Sequence, residues 1–327
     1  MQKIVLLNQQ SMCPIPSLDS SFVDRLVNWQ YIYRLSKHFN FLTAVPTYSW
    51  PEILFLNFPN TINVDNGIFF DNDSQNYINI NFNQCEIVDP KIFITKLIKE
   101  KNLFKNGNCV HLKYDTHSLR NNIIFDKSIS YFPPIFNEIK FKKKEVNNFF
   151  VKNFSDMIAI QLRRGVGTYP TRQHYNELRK YVPDKIIKNY YFNTLLTNSR
   201  PLYHIESDAV YFAVIDRIIK DNPDQKIYLS FDVPKLFINH YLEKYPKNIV
   251  IGENYLSEYL IYFNEFDIKN TKSYRVSLRN TLKMLLDFFA MSNSKGIVCN
   301  NVYVNQSGWI WFARNYKPKQ IYNMFDS

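Results

Sequence analysis

The chain has 327 residues, of which 46% are hydrophobic, 17% are aromatic and only 7 residues are glycine. This composition excludes disordered and fibrous proteins, and the length fits two globular domains of about 150 residues each. The formal net charge of +11 agrees with a lysine-rich surface and with a site for anionic substrates. A nucleic-acid-binding protein explains that charge less well, because the basic residues are scattered and carry no known nucleic-acid-binding signature.

Cysteine spacing and hydropathy favour a protein of a reducing compartment. The four cysteines are far apart and form no CxxC pair, which is typical of buried free thiols. The apolar start of the chain, at 1–7, is too short for the core of a signal peptide and predicts a first strand. No window of about 18 residues is apolar and uncharged throughout, so no membrane span is predicted. We therefore expect a soluble, cytoplasmic protein.

The first half mixes strands and helices. Its predicted elements are, in chain order, a strand at 3–8, a helix at 22–40, a strand at 41–45, a helix at 89–101 and a strand at 108–114. No element is predicted at 51–85, where aromatic residues alternate with asparagine-rich turns. Pro133 and Pro134 then break the structure, and a charged helix at about 142–153 leads into the second half. We place the domain boundary after residue 145.

The second half alternates strands with helices. Its predicted elements are a strand at 157–162, a helix at 208–221, a strand at 226–231, a helix at 234–245, a strand at 248–251, a helix at 276–292, a strand at 296–299 and a helix at 304–316. A long polar loop is predicted after the first of these strands. Strands that alternate with helices form a parallel sheet covered on both faces. The predicted fold class is therefore α/β, with domains at 1–145 and 146–327.

Two adjacent arginines follow the strand at 157–162 and form the most informative segment of the chain. Gly165 and Gly167 come directly after Arg163 and Arg164, and they allow a tight turn in which backbone can approach a ligand. Arginine carries a permanent charge in a planar fork that binds phosphate through two parallel hydrogen bonds. Because ligands of α/β proteins bind at the carboxyl edge of the sheet, this segment predicts a diphosphate site. Ordinary surface ion pairs are the alternative.

Two later strands also end in polar residues. Asp232 follows the strand at 226–231 and precedes Pro234, so it can cap the next helix, accept hydrogen bonds from a base or a ribose, or do both. Asn300 and Asn301 follow the strand at 296–299, and we expect their amides to donate to phosphate. Both segments therefore predict ligand contacts at the same edge as the arginines.

Other charged residues could serve either the fold or a site. Asp287 lies within an apolar helix, where a charge is costly unless paired, so it forms a structural salt bridge or orients a site residue. Asp24 and Arg25 open the first long helix, either as an exposed ion pair or as polar groups that face the site from the first domain. His111 and His117 lie six residues apart and form no recognised metal-ligand motif, and no metal site is expected. No Walker A, nucleophile-elbow or GxGxxG sequence is present.

The ordered set of motifs resembles the fucosyltransferase superfamily, which includes the α1,6-fucosyltransferases, the nodulation fucosyltransferases and the protein O-fucosyltransferases. Asp24-Arg25-Leu26 is similar to the family's Asp-Arg-Leu element. Gln161-Leu162-Arg163-Arg164-Gly165 is similar to its His-x-Arg-Arg motif, with glutamine in place of histidine, and Phe231-Asp232-Val233-Pro234 is similar to its Thr-Asp-x-Pro segment. The closing helix and strand, at 285–301, are also similar. The resemblance covers about residues 140–316 and the helix near Asp24.

The chain departs from the family pattern at two places. The family's closing turn is often rich in serine, whereas this chain has Asn300-Asn301-Val302-Tyr303. In α1,6-fucosyltransferases, acidic and lysine residues linked to acceptor activation follow the arginines, and here Gly165-Val166-Gly167 stands in their place. These departures leave the acceptor and the general base open.

The resemblance implies two Rossmann-like domains that face a cleft in a GT-B-like arrangement, with the acceptor side at 1–145 and the nucleotide-sugar side at 146–327. It implies GDP-fucose as the donor substrate, no metal or other cofactor, and inversion at the anomeric centre. The implied site residues are Arg163, Arg164, Gly165, Asp232, Asn300, Asn301 and Tyr303 for the donor, Asp24 and Arg25 on the acceptor side, and His174, Glu177 or Asp24 as general base.

Arg164 is expected to stabilise the departing diphosphate, with Arg163 supporting the diphosphate or the fold. We therefore predict a metal-independent, inverting glycosyltransferase that transfers fucose from GDP-fucose to a glycan or glycoconjugate acceptor. Two alternatives remain open. One is a GT-B-like transferase that uses another nucleotide sugar, and the other is a basic nucleic-acid-binding protein. No nucleic-acid partner is expected of a transferase.

Overall fold

The structure is a computed structural model. It describes residues 5–8, 22, 26, 42–46, 51–59, 61–64, 77–81, 109–113, 135–162, 168–169, 172–197, 203–204, 207–266, 277–299 and 308–324. The chain divides into two compact units. Unit 1 comprises Met1–Lys144 and Glu265–Leu282, and unit 2 comprises Glu145–Asn264 and Lys283–Ser327. No helix in the described ranges is long and apolar enough to cross a membrane.

The segment Glu265–Leu282 groups with unit 1, whereas the sequence pattern assigned it to the second domain. Contacts at the start of the segment give the reason. The ring of Phe266 packs edge-on against Phe55, with centroids 5.1 Å apart and an interplanar angle of 70°. Glu265 forms an ion pair with Lys143. Both pairs join residues that are far apart in the sequence, so no local pattern reveals them.

Unit 1 is built on a parallel sheet. Its described strands are β1 (Val5–Asn8), β2 (Leu42–Pro46), β3 (Leu56–Asn57), β4 (Thr61–Val64), β5 (Tyr77–Asn81), β6 (Cys109–Lys113) and β7 (Lys140–Phe141). Five of them pair in parallel in the order β4-β2-β1-β6-β5. The other two, β3 and β7, form a short antiparallel pair. Short 3₁₀ helices lie at Pro51–Leu54 and Ile135–Glu138.

The predicted strands at 3–8, 41–45 and 108–114 correspond to β1, β2 and β6. Phe22 and Leu26 are helical and buried, which agrees with an apolar helix face of one-turn spacing. The rest of the helix predicted at 22–40 lies outside the described residues, as does the helix predicted at 89–101. Strands β4 and β5 lie in the region where no element was predicted, because their asparagine content matches turns as well as strands.

From residue 144 onward, helices and strands alternate. The elements are α1 (Lys144–Phe154), β8 (Ile158–Leu162), β9 (Thr168–Tyr169), α2 (Arg172–Leu178), α3 (Asp184–Thr197), β10 (Tyr203–His204), α4 (Asp208–Asp221), β11 (Ile227–Phe231), a 3₁₀ helix (Lys235–Ile238), α5 (Asn239–Lys244), β12 (Ile249–Val250), α6 (Glu253–Ile261), α7 (Leu278–Asn293), β13 (Gly296–Cys299), α8 (Gly308–Tyr316) and β14 (Gln320–Asn323). The strand β8 and the helices α1, α4 and α7 confirm predicted elements. The predicted α/β class is therefore confirmed.

Five strands of unit 2 form a parallel sheet in the order β12-β11-β8-β13-β14. The chain starts at the central strand β8, moves outward through β11 to β12, and then crosses to β13 and β14 on the other side. The strand order therefore reverses between β8 and β13. In open α/β sheets, such a reversal leaves a crevice outside the carboxyl ends of the two strands, where ligands bind.

Both faces of the unit 2 sheet are covered, which explains why its central strands are continuous apolar runs. On one face, Ile158, Ile160 and Leu162 belong to the main core cluster together with side chains of α4 and α5. On the other face, the aromatic rings of α1 pack against β11, with Phe154 edge-on to Tyr228 at 5.3 Å. Because strand side chains alternate, Gln161 and Ser230 lie on this second face.

The segment between β8 and α4 contains more structure than the predicted polar loop. Helices α2 and α3 occupy much of it, and β9 pairs with β10 in parallel. Leu178, Val182 and Ile187 of this segment are buried in the main core. Helix α6 was also missed. In both segments apolar and charged residues are interspersed and form no continuous apolar face. Helix formation there depends on tertiary packing more than on the local sequence pattern.

Candidate functional site

Three neighbouring strands of the unit 2 sheet end at one edge. Leu162, the last residue of β8, pairs with Phe231, the last residue of β11. On the other side, β13 pairs in parallel with β8 and ends at Cys299. The carboxyl ends of β11, β8 and β13 therefore lie side by side at the point where the strand order reverses. This edge is the candidate functional site.

The polar segments identified in the sequence follow these three strands directly. Arg163 comes after β8, Asp232 comes after β11, and Asn300 comes after β13. Asp232 is described. The predicted site residues that lie outside the described residues are Arg163, Arg164, Gly165, Asn300, Asn301 and Tyr303 on the donor side and Asp24 and Arg25 on the acceptor side. For the donor residues, the topology establishes which strand each segment follows.

Asp232 is half-buried at the end of β11, and its backbone is held in place. Its carbonyl oxygen accepts a hydrogen bond of 3.4 Å from the Tyr190 hydroxyl of α3. Val233, the next residue, is buried in the core. The following 3₁₀ helix has Pro234 at its N-cap position, so Asp232 is not the N-cap residue. The predicted contact with a base or ribose stays a prediction.

Gln161 carries an unsatisfied buried polar atom next to this edge. Its side chain is 8% exposed, and Oε1 has no hydrogen-bond partner in the part of the chain that the structure describes. Ser230, which is 4% exposed, pairs with it in register across β8 and β11. Buried polar atoms are nearly always hydrogen-bonded, so this oxygen is a natural acceptor for a ligand N–H or O–H group. The sequence signal for this residue is a glutamine inside an apolar strand, at the position where the family motif has histidine.

Two of the three candidate bases lie on α2. For His174 the structure describes the backbone but not the side chain. The Glu177 carboxylate accepts a 2.8 Å hydrogen bond from the backbone N–H of Asp208, the first residue of α4. That contact satisfies one of the free N–H groups at a helix start. It gives Glu177 a structural task, and its role as a base stays a prediction.

A buried histidine that the sequence analysis did not single out lies beside the start of α4. His240 Nε2 is 3.0 Å from Asp208 Oδ2, and the Tyr241 hydroxyl donates to Asp208 Oδ1 at 2.6 Å. The ring of Tyr181 stacks on His240 at 4.3 Å. These contacts join the turn after α2 to α4 and α5 on the main core face. The described residues contain no group of three or more His, Cys, Asp or Glu side chains that could hold a metal ion.

Asp287 forms a hydrogen bond to a tyrosine instead of a salt bridge. The Tyr228 hydroxyl donates to its Oδ1, and burial raises the pKa of Asp287 to about 6. Gly252 lies against this pair, since a methyl group there would be 2.9 Å from Asp287 Oδ1 and 3.0 Å from the Tyr228 oxygen. Among the residues that the structure describes, Asp287 therefore has a hydrogen bond in place of the expected salt bridge. The contact ties α7 to the middle of β11.

No protein-family model matches the chain, and no curated protein matches it. Among solved structures, the chain is similar to fucosyltransferase NodZ from Bradyrhizobium, with 10% identity and a TM-score of 0.44, over 96% of this chain and 92% of that chain. A NodZ α-1,6-fucosyltransferase soaked with GDP-fucose matches with 9% identity and a TM-score of 0.40, over 97% and 94% of the two chains. POFUT1 in complex with GDP matches with 9% identity and a TM-score of 0.46, over 99% of both chains.

All three identities and TM-scores are low, so the proposed function rests on the residues and topology of this chain. The chain is similar over most of its length to structures of fucosyltransferases, the superfamily that its ordered motifs resemble.

Proposed function

We propose that this chain is a glycosyltransferase whose donor is a nucleotide diphosphate sugar, GDP-fucose, bound at the carboxyl edge of the unit 2 sheet. The acceptor is a glycan or a glycoconjugate. One observation carries the proposal: three polar segments follow the three neighbouring strands β11, β8 and β13, where the strand order reverses. The first supplies a carboxylate, the second two guanidinium groups and the third two amides, which together match the parts of a nucleotide diphosphate.

Each segment has a chemical task in this proposal. Asp232 accepts hydrogen bonds from the base or the ribose. The hydrogen bond from the Tyr190 hydroxyl to the Asp232 carbonyl oxygen helps to fix the backbone there. Arg163 and Arg164 bind the diphosphate, because guanidinium groups form paired, charge-assisted hydrogen bonds with phosphate oxygens. Asn300, Asn301 and Tyr303 line the phosphate or the sugar. Gln161 adds a buried acceptor oxygen beside this set.

The reaction builds negative charge on the leaving diphosphate as the bond between the anomeric carbon and the phosphate oxygen breaks. Fixed positive charge at that position lowers the barrier, since it stabilises the transition state more than the ground state. We assign this role to Arg164, with Arg163 in support, and we propose that the two arginines make a divalent metal unnecessary. No further cofactor is needed for the transfer.

Inversion requires the acceptor hydroxyl to attack from the face opposite the diphosphate, and a base that removes its proton assists. The candidates are His174, Glu177 and Asp24. Glu177 already accepts the Asp208 N–H, so one of its carboxylate oxygens is committed to the start of α4. This favours His174 over Glu177 among the two candidates on α2.

The donor is tested by the thermal stability of the protein with GDP-, UDP- and dTDP-sugars in the presence of a metal chelator. GDP-fucose is expected to raise the melting temperature, because a ligand that binds only the folded state stabilises it. Stabilisation by UDP-sugars alone would show that the donor is not GDP-fucose. It would support the second candidate function, a transferase that uses another nucleotide sugar, which the departures at 165–167 and 300–303 leave open. Binding of duplex or single-stranded nucleic acid that weakens steeply with salt, without any response to nucleotide sugars, would overturn the transferase.

A further inference from the structure

The turn between α2 and α3 exposes two large apolar side chains. We define the α2–α3 corner as residues 179–188. Within it, 48% of Tyr181 and 43% of Ile186 are exposed, and both are among the few large hydrophobic residues that the described surface leaves open. Exposed apolar side chains that cluster within a few residues mark an interaction surface more often than scattered ones do.

The same corner is strongly basic. It carries four cationic side chains, those of Arg179, Lys180, Lys185 and Lys188, and one acid, Asp184, for a net charge of +3. Asp184 pairs with Arg179 at 3.1 Å and with Lys188 at 2.6 Å, and it also accepts the Tyr175 hydroxyl at 2.7 Å. Lys180 and Lys185 are exposed and form no ion pair with any residue that the structure describes.

The corner is a fixed platform with a buried side and an exposed side. Leu178, Val182 and Ile187 anchor it in the main core, where each is at most 1% exposed. Backbone hydrogen bonds from the N–H groups of residues 181 and 182 to the Leu178 carbonyl close the turn at 2.9 and 2.8 Å. The Tyr181 ring lies parallel to the buried His240 ring. The exposed apolar groups are therefore held outward by folded structure.

We infer that the α2–α3 corner docks on an anionic phospholipid surface. Tyrosine and aliphatic side chains enter the interfacial region of a bilayer, and neighbouring lysines contact its anionic headgroups, which is the combination present here. A soluble polyanion such as RNA or an acidic polysaccharide would use the cations but would leave Ile186 exposed. The inference does not depend on the proposed transferase activity, because none of the corner residues belongs to the donor site.

Unit 2 provides a matched control on α6. Ile261 is 64% exposed, more than Ile186, but it has exposed Glu258 one helical turn before it on the same face. An apolar side chain beside an acid is disfavoured at an anionic surface. The surrounding charge therefore distinguishes two exposed isoleucines of the same unit.

Co-sedimentation of the full chain with vesicles tests the inference. The protein is expected to pellet with mixed phosphatidylcholine–phosphatidylglycerol vesicles and not with phosphatidylcholine alone. Ile186→Ser should weaken binding about tenfold through lost apolar burial, and Lys180→Gln and Lys185→Gln should each weaken it about fivefold. Ile261→Ser should leave binding unchanged, and all four variants should keep the wild-type melting temperature, because the positions are exposed.

Three results would overturn the inference. The first is equal pelleting with neutral and anionic vesicles, or none with either. The second is a loss in Ile261→Ser as large as that in Ile186→Ser. The third is binding to RNA or an acidic polysaccharide that depends on Lys180 and Lys185 but not on Ile186, with no vesicle binding. A failure of any kind here leaves the nucleotide-sugar response of the protein untouched, so the two proposals fail separately.

Discussion

The two large sheets of this protein share an architecture and differ in their connections and in the residues at their carboxyl edges. Both are parallel and five-stranded, and both start from a central strand, β1 in unit 1 and β8 in unit 2. After crossing to the other side, the chain of unit 1 goes first to the edge strand β5 and then returns to β6 beside β1. The chain of unit 2 goes first to β13 beside β8 and then out to β14.

The residues after the two central strands differ more than the strand orders. Strand β1 is followed by the uncharged Gln9 and Gln10, whereas β8 is followed by Arg163 and Arg164. A diphosphate without a metal ion needs fixed positive charge, and uncharged amides suit hydroxyl groups better. Two similar scaffolds therefore teach that the sheet alone does not assign the donor. The residues that follow the central strand in the sequence differ, and they favour unit 2 for the proposed donor.

The largest expected effect is a loss of turnover, and it compares the residues that follow the two central strands. Arg164→Ala should lower turnover about 100- to 1,000-fold, because it removes a donor aimed at charge that develops in the transition state. Gln10→Ala, at the corresponding place after β1, should change turnover far less. Sugar transfer measured at saturating donor checks both. Similar losses of turnover in the two variants would mean that the positive charge after β8 does not explain catalysis.

A second substitution is expected to lower stability through a contact within unit 2. Gly252→Ala would place a methyl group 2.9 Å from Asp287 Oδ1 and 3.0 Å from the Tyr228 oxygen. Overpacking of this kind costs up to about 3 kcal/mol in the free energy of unfolding. Denaturant unfolding measures it, with Ser257→Ala on the exposed surface of α6 as the control. Equal stability of the two variants would show that the Tyr228–Asp287 contact tolerates displacement.

The pH dependence of unit 2 provides a third test. The pKa of Asp287 is raised to about 6 by burial, so the folded state binds this proton more tightly than the unfolded chain does. The resulting stabilisation is present below the unfolded pKa near 4 and is lost as the pH rises through about 6. Between acidic and neutral pH, the group should therefore lower the unfolding free energy by about 3 kcal/mol.

Asp287→Asn should remove this part of the pH dependence, since the amide does not titrate over that range. The exposed Asp224→Asn removes the same formal charge and serves as the control. Unfolding free energies measured at several pH values compare the three proteins. A wild-type profile that parallels the Asp287→Asn profile would contradict a half-buried, titrating carboxyl group at this position.

The smallest expected effect concerns Glu177. Glu177→Ala removes the acceptor of the Asp208 N–H and should cost about 1 kcal/mol of unfolding free energy, as the loss of a helix cap does. Glu177→Gln keeps an oxygen at that position and should cost less. Turnover distinguishes a structural role of Glu177 from a catalytic one. A loss of turnover in both variants, with normal turnover in His174→Ala, would identify Glu177 as the general base in place of His174.

Much of the unit 2 sheet could be predicted from sequence because its strands are buried on both faces. Ile158–Leu162, Ile227–Phe231 and Gly296–Cys299 stand out as apolar runs of strand length. The same pattern located Arg163, Asp232 and Asn300 after those strands. Parallel pairing then explains why three segments that are far apart in the sequence are expected at one edge.

The remaining features depend on contacts that no local pattern encodes. The return of Glu265–Leu282 to unit 1 relies on Phe55 and Lys143, which are distant in sequence. The Asp208–His240 pair joins two helices across the core face. For Gln161, the sequence places a polar residue in a strand, but only the structure shows that its Oε1 is buried without a partner among the described residues.

The central claim is that guanidinium charge after β8 binds a nucleotide diphosphate without a metal ion. Calorimetric titration of GDP into the protein, with a chelator present, tests it most directly. We predict binding by the wild-type chain and a loss of affinity in Arg164→Ala, with Gln10→Ala unchanged. No binding until a divalent metal is added, or equal affinity in wild type and Arg164→Ala, would contradict it.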